Sequence, residues 1–222
     1  EDRVRTEQAM AQVLGTGVDG DLEVTVEQKG TGIRRICGMT IRALIEDDGT
    51  TTGAIVCVTD VTDSASRRHE LEVAATFDPL TGAYNRSSCL AALDVALSRP
   101  SFADAGCAVV FVDLDGFKVV NDAHGHIAGD ELLVETAERL RAVTRSSDIV
   151  GRYGGDEFIV VCPEVTDPAT AYALAQRIDE RLRQAATIDG MAIMPRASVG
   201  VAWSPVDDAS VDAVTSNCVI NL

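Results

Sequence analysis

Two acidic segments of the sequence contain residue types that bind metal ions in proteins. In VVFVDLDG, four apolar residues precede Asp113, so this carboxylate is expected at the carboxyl end of a central strand, where ligands commonly bind. In RYGGDEF, Gly154 and Gly155 precede Asp156 and Glu157, and the apolar run FIVVC follows. This order predicts a tight turn that carries both acids at the tip of a hairpin. If the two strands are neighbours, Asp113 and Asp156 converge.

Such a pair of carboxylates is suited to Mg²⁺ or Mn²⁺, which also take oxygen ligands from a substrate phosphate. The metal would polarise a phosphoryl centre and activate a hydroxyl for attack, and the glycines would leave room for a nucleotide. A plainer interpretation of DLDG is a strand end with solvated acids and a turn glycine. A simple hairpin predicts glycine after the acid, whereas GGDE has the reverse order.

The segment between the two motifs contains an amide and a carboxylate, Asn121 and Asp130. Both could hydrogen-bond to a guanine base, which offers an acceptor at O6 and donors at N1 and N2. The alternative is that both residues cap helices. His124 and His126 are spaced i and i+2, so they do not share a helix face. This spacing disfavours a zinc site and favours hydrogen bonding in a loop.

Charge and composition narrow the class of protein. The 222 residues carry a formal net charge of −16. This charge argues against nucleic acid as a partner, because binding to its phosphate backbone relies on clustered Lys and Arg. No apolar run approaches the roughly 20 residues of a membrane-spanning helix, so no membrane contact is expected. The six cysteines show no CxxC spacing and mostly lie in apolar runs, which predicts buried thiols in a reducing, cytoplasmic compartment. The absence of a GxxxxGK[ST] loop disfavours a P-loop NTPase.

Periodicity divides the chain into three parts. Residues 22–62 alternate apolar and polar side chains around a DDG turn, which predicts antiparallel strands. The segment DSASRRHELEVAATF then predicts a connecting helix that Pro79 and Gly82 stop. From residue 106 the pattern is a strand, two helices, a strand pair around YGGDE, a helix and a strand. This order predicts an α+β fold with a central antiparallel sheet flanked by helices.

Together the motifs resemble the GGDEF-domain diguanylate cyclases. RYGGDEF carries the family signature, and DPLTGAYNR, FVDLDGFKVVNDAHGHIAGDELL and ASVGVA occur in the family's order, over residues 76–203. The resemblance implies a nucleotidyl-cyclase palm fold and the condensation of two GTP molecules into cyclic di-GMP with release of pyrophosphate. It assigns residues 78–222 to the cyclase domain and residues 63–77 to a connecting signalling helix.

By position in these motifs, the resemblance also implies roles for individual residues. Asp113 and Asp156 would bind Mg²⁺ or Mn²⁺ with the Leu114 carbonyl, and Asp156 with Glu157 would support deprotonation of the attacking 3′-hydroxyl. The substrate site would comprise Lys118 for phosphate, Asn121, His126 and Asp130 for guanine, and Gly154 and Gly155 beside the nucleotide. RSSD is by itself a weak motif, a helix end followed by a turn. It stands five residues before the signature, so Arg145 and Asp148 would bind cyclic di-GMP as a feedback inhibitor.

Residues 1–62 resemble the carboxyl-terminal part of a PAS sensor domain, which ends in DVTD where a helix begins. A free-standing β-sheet domain is the alternative. After GVA, family members continue into a helix whose basic residues help to hold the triphosphate, whereas here no Lys or Arg follows Arg196. The sequence therefore predicts that the usual last helix is missing or altered.

Each site would hold one GTP, so the resemblance implies that two copies face each other across a two-fold axis and that catalysis needs a homodimer. The connecting helix would transmit the state of the sensor to the dimer. Two other functions stay open. One is a catalytically degenerate domain that binds GTP or cyclic di-GMP as a receptor. The other is a class III-like mononucleotide cyclase, which fits GGDEF poorly.

Overall fold

The computed structural model of the chain describes residues 2–28, 30–98 and 105–205. The chain divides into two compact units, residues 1–72 and residues 73–222. Helix α2 (Thr62–Thr76) begins in the first unit and ends in the second, which confirms the helix predicted after residue 62. Within the described ranges, no helix is long and apolar enough to cross a membrane.

The first unit is a three-stranded antiparallel sheet with one helix before it. Its elements are α1 (Asp2–Thr16), β1 (Gly20–Glu27), β2 (Arg34–Ile45) and β3 (Thr51–Asp60), and the strands pair in the order β1-β2-β3. Val13 of α1 is buried, as are Val24 and Ile41 of the sheet. The predicted strands and the DDG turn are confirmed, whereas α1 was not predicted because its sequence has no marked apolar stripe. The assignment of this unit to a PAS domain stays a prediction.

The second unit has an α+β fold. Its elements are α3 (Arg86–Ser98), β4 (Gly106–Leu114), α4 (Phe117–His124), α5 (His126–Val143), β5 (Ile149–Gly154), β6 (Glu157–Val165), α6 (Pro168–Leu182), β7 (Ala186–Ile188), β8 (Met191–Ile193) and β9 (Ala197–Pro205). Four strands form an antiparallel sheet in the order β5-β6-β4-β9. The predicted order of elements is confirmed, with a short β7–β8 hairpin added. The predicted loss of the last helix concerns residues 206–222, which lie outside the described residues.

Apolar side chains cover both faces of this sheet. On one face Val110 and Val112 of β4 belong to a buried cluster with residues of α5 and α6. On the other face Val109 packs with Cys89 and Leu93 of α3. Alternate residues of a strand point to opposite faces, so β4 is a central strand buried on both sides. Its carboxyl end is the point at which the chain leaves the core and polar chemistry becomes possible.

The predicted burial of cysteines is confirmed for some positions and wrong for another. Cys89, Cys107 and Cys162 are buried. Burial raises the pKa of the Cys89 thiol to about 12 and that of Cys107 to about 11, so both stay protonated and unreactive at neutral pH. Cys57 is exposed on β3, at a position where the apolar run AIVCV predicted burial.

A buried arginine joins α5 to the end of α6. Arg139 is 5% exposed and donates hydrogen bonds to three carbonyl oxygens, those of Leu182 at 3.1 Å, Gln184 at 2.6 Å and Ala185 at 2.8 Å. The last carbonyls of a helix have no partner within the helix. Arg139 therefore satisfies the end of α6 from a neighbouring element.

Candidate active site

The GGDE turn joins β5 to β6 at one edge of the four-stranded sheet. Gly154 pairs with Glu157, so Gly155 and Asp156 are the two central residues of the turn. Gly155 has a φ of 50°, in the left-handed region, and a Cβ there would meet no heavy atom within 4 Å. The backbone conformation, rather than lack of space, favours glycine at this position. The turn leaves Asp156 half-buried and Glu157 exposed.

Asp113 lies next to this turn. β4 and β6 are neighbours, as convergence of the two acidic motifs requires, and Asp113 is opposite Glu157 in their register. The Leu114 amide donates a hydrogen bond to the Asp156 carbonyl oxygen at 3.3 Å. The structure therefore brings Asp113, Asp115, Asp156 and Glu157, the acids of DLDG and GGDE, to one end of the sheet, with Leu114 between them. We call this end of the sheet the acidic edge.

The carboxylates at this edge repel one another. Partial burial raises the pKa of Asp113, and the negative charges of Asp156 and Asp115 raise it further. Ser198 Oγ donates a hydrogen bond to Asp115 Oδ1 at 2.8 Å. No ion pair within the described residues involves Asp113 or Asp156. The unbalanced negative charge fits a bound cation.

The donor set fits a hard divalent cation that brings other oxygen ligands with it. In the described part of the chain, no group of three or more His, Cys, Asp or Glu side chains is arranged to hold a metal ion. Mg²⁺ binds typically through one or two carboxylates and completes its shell with water and substrate phosphates. Asp113 and Asp156 match this pattern, and it is the pattern of nucleotide sites rather than of a closed structural metal site.

A second polar group lies where α4 meets α5. Asn121 Oδ1 is buried and has no hydrogen-bond partner among the residues that the structure describes. A Cβ on Gly129 would lie 1.9 Å from this oxygen and 3.2 Å from Phe117 Cζ, so a larger residue at this position would have to displace the Asn121 amide. Leaving a buried acceptor unpaired costs about 1–3 kcal/mol. An N–H group of a ligand would remove this cost.

The other residues predicted to contact guanine or phosphate lie on the same two helices. Asn121 is inside α4 and Asp130 is inside α5, whose N-caps are Gly116 and Gly125 without a side-chain cap bond. The alternative that Asn121 and Asp130 cap helices is therefore wrong. Asp130 directly follows Gly129 and is exposed, as are Lys118 on α4 and His126 at the start of α5.

An ion pair that the sequence did not predict ties the turn to a distant segment. Arg152 Nε donates to the Gly155 carbonyl oxygen at 2.9 Å, and its Nη1 contacts Asp78 Oδ1 at 3.2 Å. The side chains of Arg152 and Asp78 are only 17% and 18% exposed. Burial acts to raise the pKa of Asp78, but hydrogen bonds from Thr81 and the charge of Arg152 outweigh it, and the pKa is lowered. The carboxylate therefore stays ionised and holds Arg152 beneath the turn.

Arg145 and Asp148 lie at the opposite end of β5 from the GGDE turn. Asp148 Oδ2 accepts a hydrogen bond from the Arg145 backbone N–H at 2.7 Å, which closes the turn after α5. Both residues line a cavity of about 120 Å³ with Cys162 and Arg177, and another of about 310 Å³ beside Tyr84. The length of β5 separates them from the acids by about 17 Å, so the structure does not bring them together with the acidic edge.

Comparison with known proteins accounts for this arrangement. A family model described as "Diguanylate cyclase, GGDEF domain" matches residues 75–221. The chain belongs to the GGDEF-domain family. A solved sensory box/GGDEF family protein from Caulobacter crescentus is 42% identical, with a TM-score of 0.60 over 65% of this chain and 93% of that one. The palm-like α+β fold predicted for the second unit is thus confirmed.

Two curated relatives contain similar GGDEF segments. An uncharacterized signaling protein of Caulobacter vibrioides is 38% identical over 176 residues, which are 79% of this chain and 21% of the relative. The bifunctional diguanylate cyclase/cyclic di-GMP phosphodiesterase MucR of Pseudomonas aeruginosa is 42% identical over 146 residues, 66% of this chain and 21% of MucR. The chain therefore spans about a fifth of the length of these relatives. The family match begins inside α2 and leaves the whole of the first unit unassigned.

Gly129→Ala tests whether the contact between α4 and α5 shapes a nucleotide pocket in this GGDEF domain. The added Cβ would displace the Asn121 amide, and we expect the affinity for GTP to fall about tenfold, since a lost hydrogen bond in a buried site costs about 1.5 kcal/mol. Calorimetric titration with GTP measures the change. Gly15→Ala, on α1, is the matched control because its Cβ meets nothing within 4 Å. Equal affinities of the two variants would show that this contact does not shape the pocket.

Proposed function

We propose that this chain is a diguanylate cyclase module, which condenses two GTP molecules into cyclic di-GMP. Each 3′-hydroxyl oxygen forms a bond to the α-phosphorus of the other nucleotide, pyrophosphate leaves that phosphorus, and the hydroxyl proton passes to a base. The observation that carries the proposal is the placement of Asp113 opposite the Asp156–Glu157 turn in a chain of the GGDEF family. Membership of the family supports the reaction class, and the intact acids support activity.

The acidic edge would hold the metal and accept the proton. Asp113, Asp156 and the Leu114 carbonyl would hold Mg²⁺ or Mn²⁺, which supplies charge neutralisation at the phosphates when bound. Glu157 is exposed directly beside Asp156, where a 3′-hydroxyl can approach, and the two acids would act together as the proton acceptor. The backbone at Gly154 and Gly155 has no side chains that would obstruct the nucleotide.

The junction of α4 and α5 would bind the base. Asn121 Oδ1 has no internal partner among the described residues, and a guanine N–H group would supply the missing donor. Asp130, next to Gly129, would accept from the other guanine donors, and His126 would line the pocket. Lys118, exposed on α4, would contact phosphate.

Two chains must cooperate if each domain holds one GTP. The reacting 3′-hydroxyl of one nucleotide then comes from the partner's site, so the rate per chain should rise with protein concentration until the dimer is saturated. Within the proposal, the first unit acts as a PAS sensor, and cyclic di-GMP bound at Arg145 and Asp148 inhibits the enzyme. The separation of that turn from the acidic edge supports a regulatory site that does not compete directly with GTP.

A receptor for GTP or cyclic di-GMP is the second candidate. The observation that favours it is the excess of acidic residues, 35 Asp and Glu against 19 Lys and Arg, since an acidic chain with few cations at its nucleotide site binds phosphates weakly. The name of MucR covers both a cyclase and a phosphodiesterase, so it does not say which activity the matched segment performs.

Product analysis separates these candidates. The full chain is incubated with GTP and Mg²⁺ over a range of protein concentrations, and the products are identified by mass. Cyclic di-GMP and pyrophosphate are expected, with a rate per chain that increases with concentration. Absence of turnover together with binding of cyclic di-GMP would favour the receptor, and a 3′,5′-cyclic mononucleotide would replace the proposal with a mononucleotide cyclase.

A further inference from the structure

An arginine before β9 is held beside the acidic edge. The Arg196 carbonyl oxygen accepts a hydrogen bond from the Asp115 amide at 2.9 Å. Two residues later, Ser198 is opposite Asp113 in the β4–β9 register. Ser198 Oγ also donates to the Asp115 carboxylate at 2.8 Å. Backbone and side-chain contacts therefore fix the position of Arg196 relative to the end of β4.

The guanidinium of Arg196 makes no stabilising contact in the part of the second unit that the structure describes. Other arginines of the second unit have structural contacts: Arg139, Arg141 and Arg177 donate to backbone carbonyls, and Arg152 and Arg183 pair with carboxylates. Arg196 is exposed, and its side chain forms no hydrogen bond or ion pair with any residue that the structure describes. Its charge is therefore available to a ligand.

This side chain lines a cavity next to the acids. The cavity has a volume of about 660 Å³ and is lined by Arg196, Asp115, Arg183, Met194 and Ser198, with Pro195 and Ala197. Its size is typical of small-molecule sites. Because Asp115 and Ser198 border both the cavity and the acidic edge, a ligand bound at the acids can extend into it.

The strand order indicates which part of a nucleotide would reach Arg196. Glu157, Asp113 and Ser198 are successive partners across β6, β4 and β9. The GGDE turn and the start of β9 are therefore two strand spacings apart, about 10 Å. If the α-phosphorus reacts beside Asp156 and Glu157, a pyrophosphate that lies across β4 would point towards Arg196 at the start of β9.

We propose that Arg196 binds the β- and γ-phosphates of the nucleotide at this site. The proposal rests on the proposed function and adds a substrate-binding residue to it. Three carboxylates, Asp113, Asp115 and Asp156, repel a triphosphate, and a guanidinium on the far side of β4 counteracts this repulsion. An arginine also donates two parallel hydrogen bonds to phosphate, which a lysine cannot do.

The test measures binding by calorimetry in the presence of Mg²⁺. The two probes are GMP, which lacks the β- and γ-phosphates, and an α-phosphorothioate analogue of GTP, chosen to slow turnover. The variants are Arg196→Ala, Arg196→Lys and Arg181→Ala. Arg181 contacts Gln184 and does not line the cavity, so its replacement is a control with the same change in net charge.

We expect Arg196→Ala to raise the dissociation constant of the GTP analogue about tenfold or more, the effect of losing one charge-assisted hydrogen bond to phosphate. The dissociation constant of GMP should change less than about twofold, because a single phosphate stays beside the acids. Arg196→Lys should give an intermediate value, and Arg181→Ala should match the wild type.

Two results would overturn the proposal: equal affinities of Arg196→Ala and Arg181→Ala for the analogue, or equal weakening of the analogue and GMP by Arg196→Ala. Formation of cyclic di-GMP by the wild type together with either result would leave the proposed function standing. Lack of binding of both guanine nucleotides to the wild-type chain would overturn both the function and the role of Arg196.

Discussion

Replacing Asp156 by Asn is expected to lower the rate of cyclic di-GMP formation at least about 100-fold, because the substitution removes a carboxylate that, in the proposed function, holds the metal ion and accepts the proton. Asparagine has the same shape and can keep the backbone contact between Asp156 and Leu114. Stability should not fall, since the substitution removes a charge that repels Asp113. The measurement is the initial rate of product formation, with circular dichroism to verify the fold.

Asp94→Asn is the control for this substitution. Asp94 is exposed on α3, away from the acidic edge, and its replacement should change the rate less than about twofold. A second readout does not depend on turnover. The charge of Asp156 helps to raise the pKa of Asp113, so Asp156→Asn should lower that pKa, which NMR titration of the carboxyl carbon can follow. A variant that keeps more than a tenth of the wild-type rate would contradict the role of Asp156.

Replacing Arg152 by Met is expected to lower the free energy of unfolding of the second unit by about 3 kcal/mol, because it leaves the half-buried carboxylate of Asp78 without its cation. Methionine keeps the apolar length of the side chain, so lost packing contributes little. The Gly155 carbonyl also loses its donor, which frees the turn that carries Asp156. We therefore expect the rate of product formation to fall at least about tenfold. Urea denaturation and the initial rate measure the two effects.

The control is an ion pair of the first unit in which both side chains are exposed. Arg68 Nη2 lies 2.9 Å from Glu23 Oε2, and the two side chains are 56% and 49% exposed, so Arg68→Met should cost less than about 1 kcal/mol. Asp78→Asn combined with Arg152→Met should recover part of the lost stability, since the unpaired charge is then gone. Equal destabilisation by the two arginine substitutions would mean that burial of the Arg152–Asp78 pair has no importance.

The dependence of stability on pH tests the same ion pair through the titration of Asp78. Its pKa is lowered in the folded chain, so its contribution to stability is fully present above the ordinary pKa of about 4 and is lost as pH falls through the folded value. Arg152→Met removes one of the groups that lower this pKa. The difference in stability between wild type and variant should therefore shrink as the pH is lowered below about 4.

The sequence by itself determined the acidic motifs and the order of elements that carries them. The apolar run before Asp113 and the glycines before Asp156 are local signals of a buried strand and a tight turn. Both features are present in the structure, with Asp113 opposite Glu157. Such signals are readable because alternation and turn chemistry depend on residues that are close along the chain.

Tertiary structure alone decided which side chains distant in sequence support these acids. Arg152 and Asp78 form an ion pair although they are in different motifs. The Gly129 backbone meets the Asn121 amide only because α4 and α5 pack closely. Arg196 lies beside Asp115 only because β9 pairs with β4. None of these contacts produces a periodic pattern in the sequence, since each depends on strand order and helix packing rather than on local propensity. Family motifs indicated the acids that we propose to react, and packing supplied their neighbours.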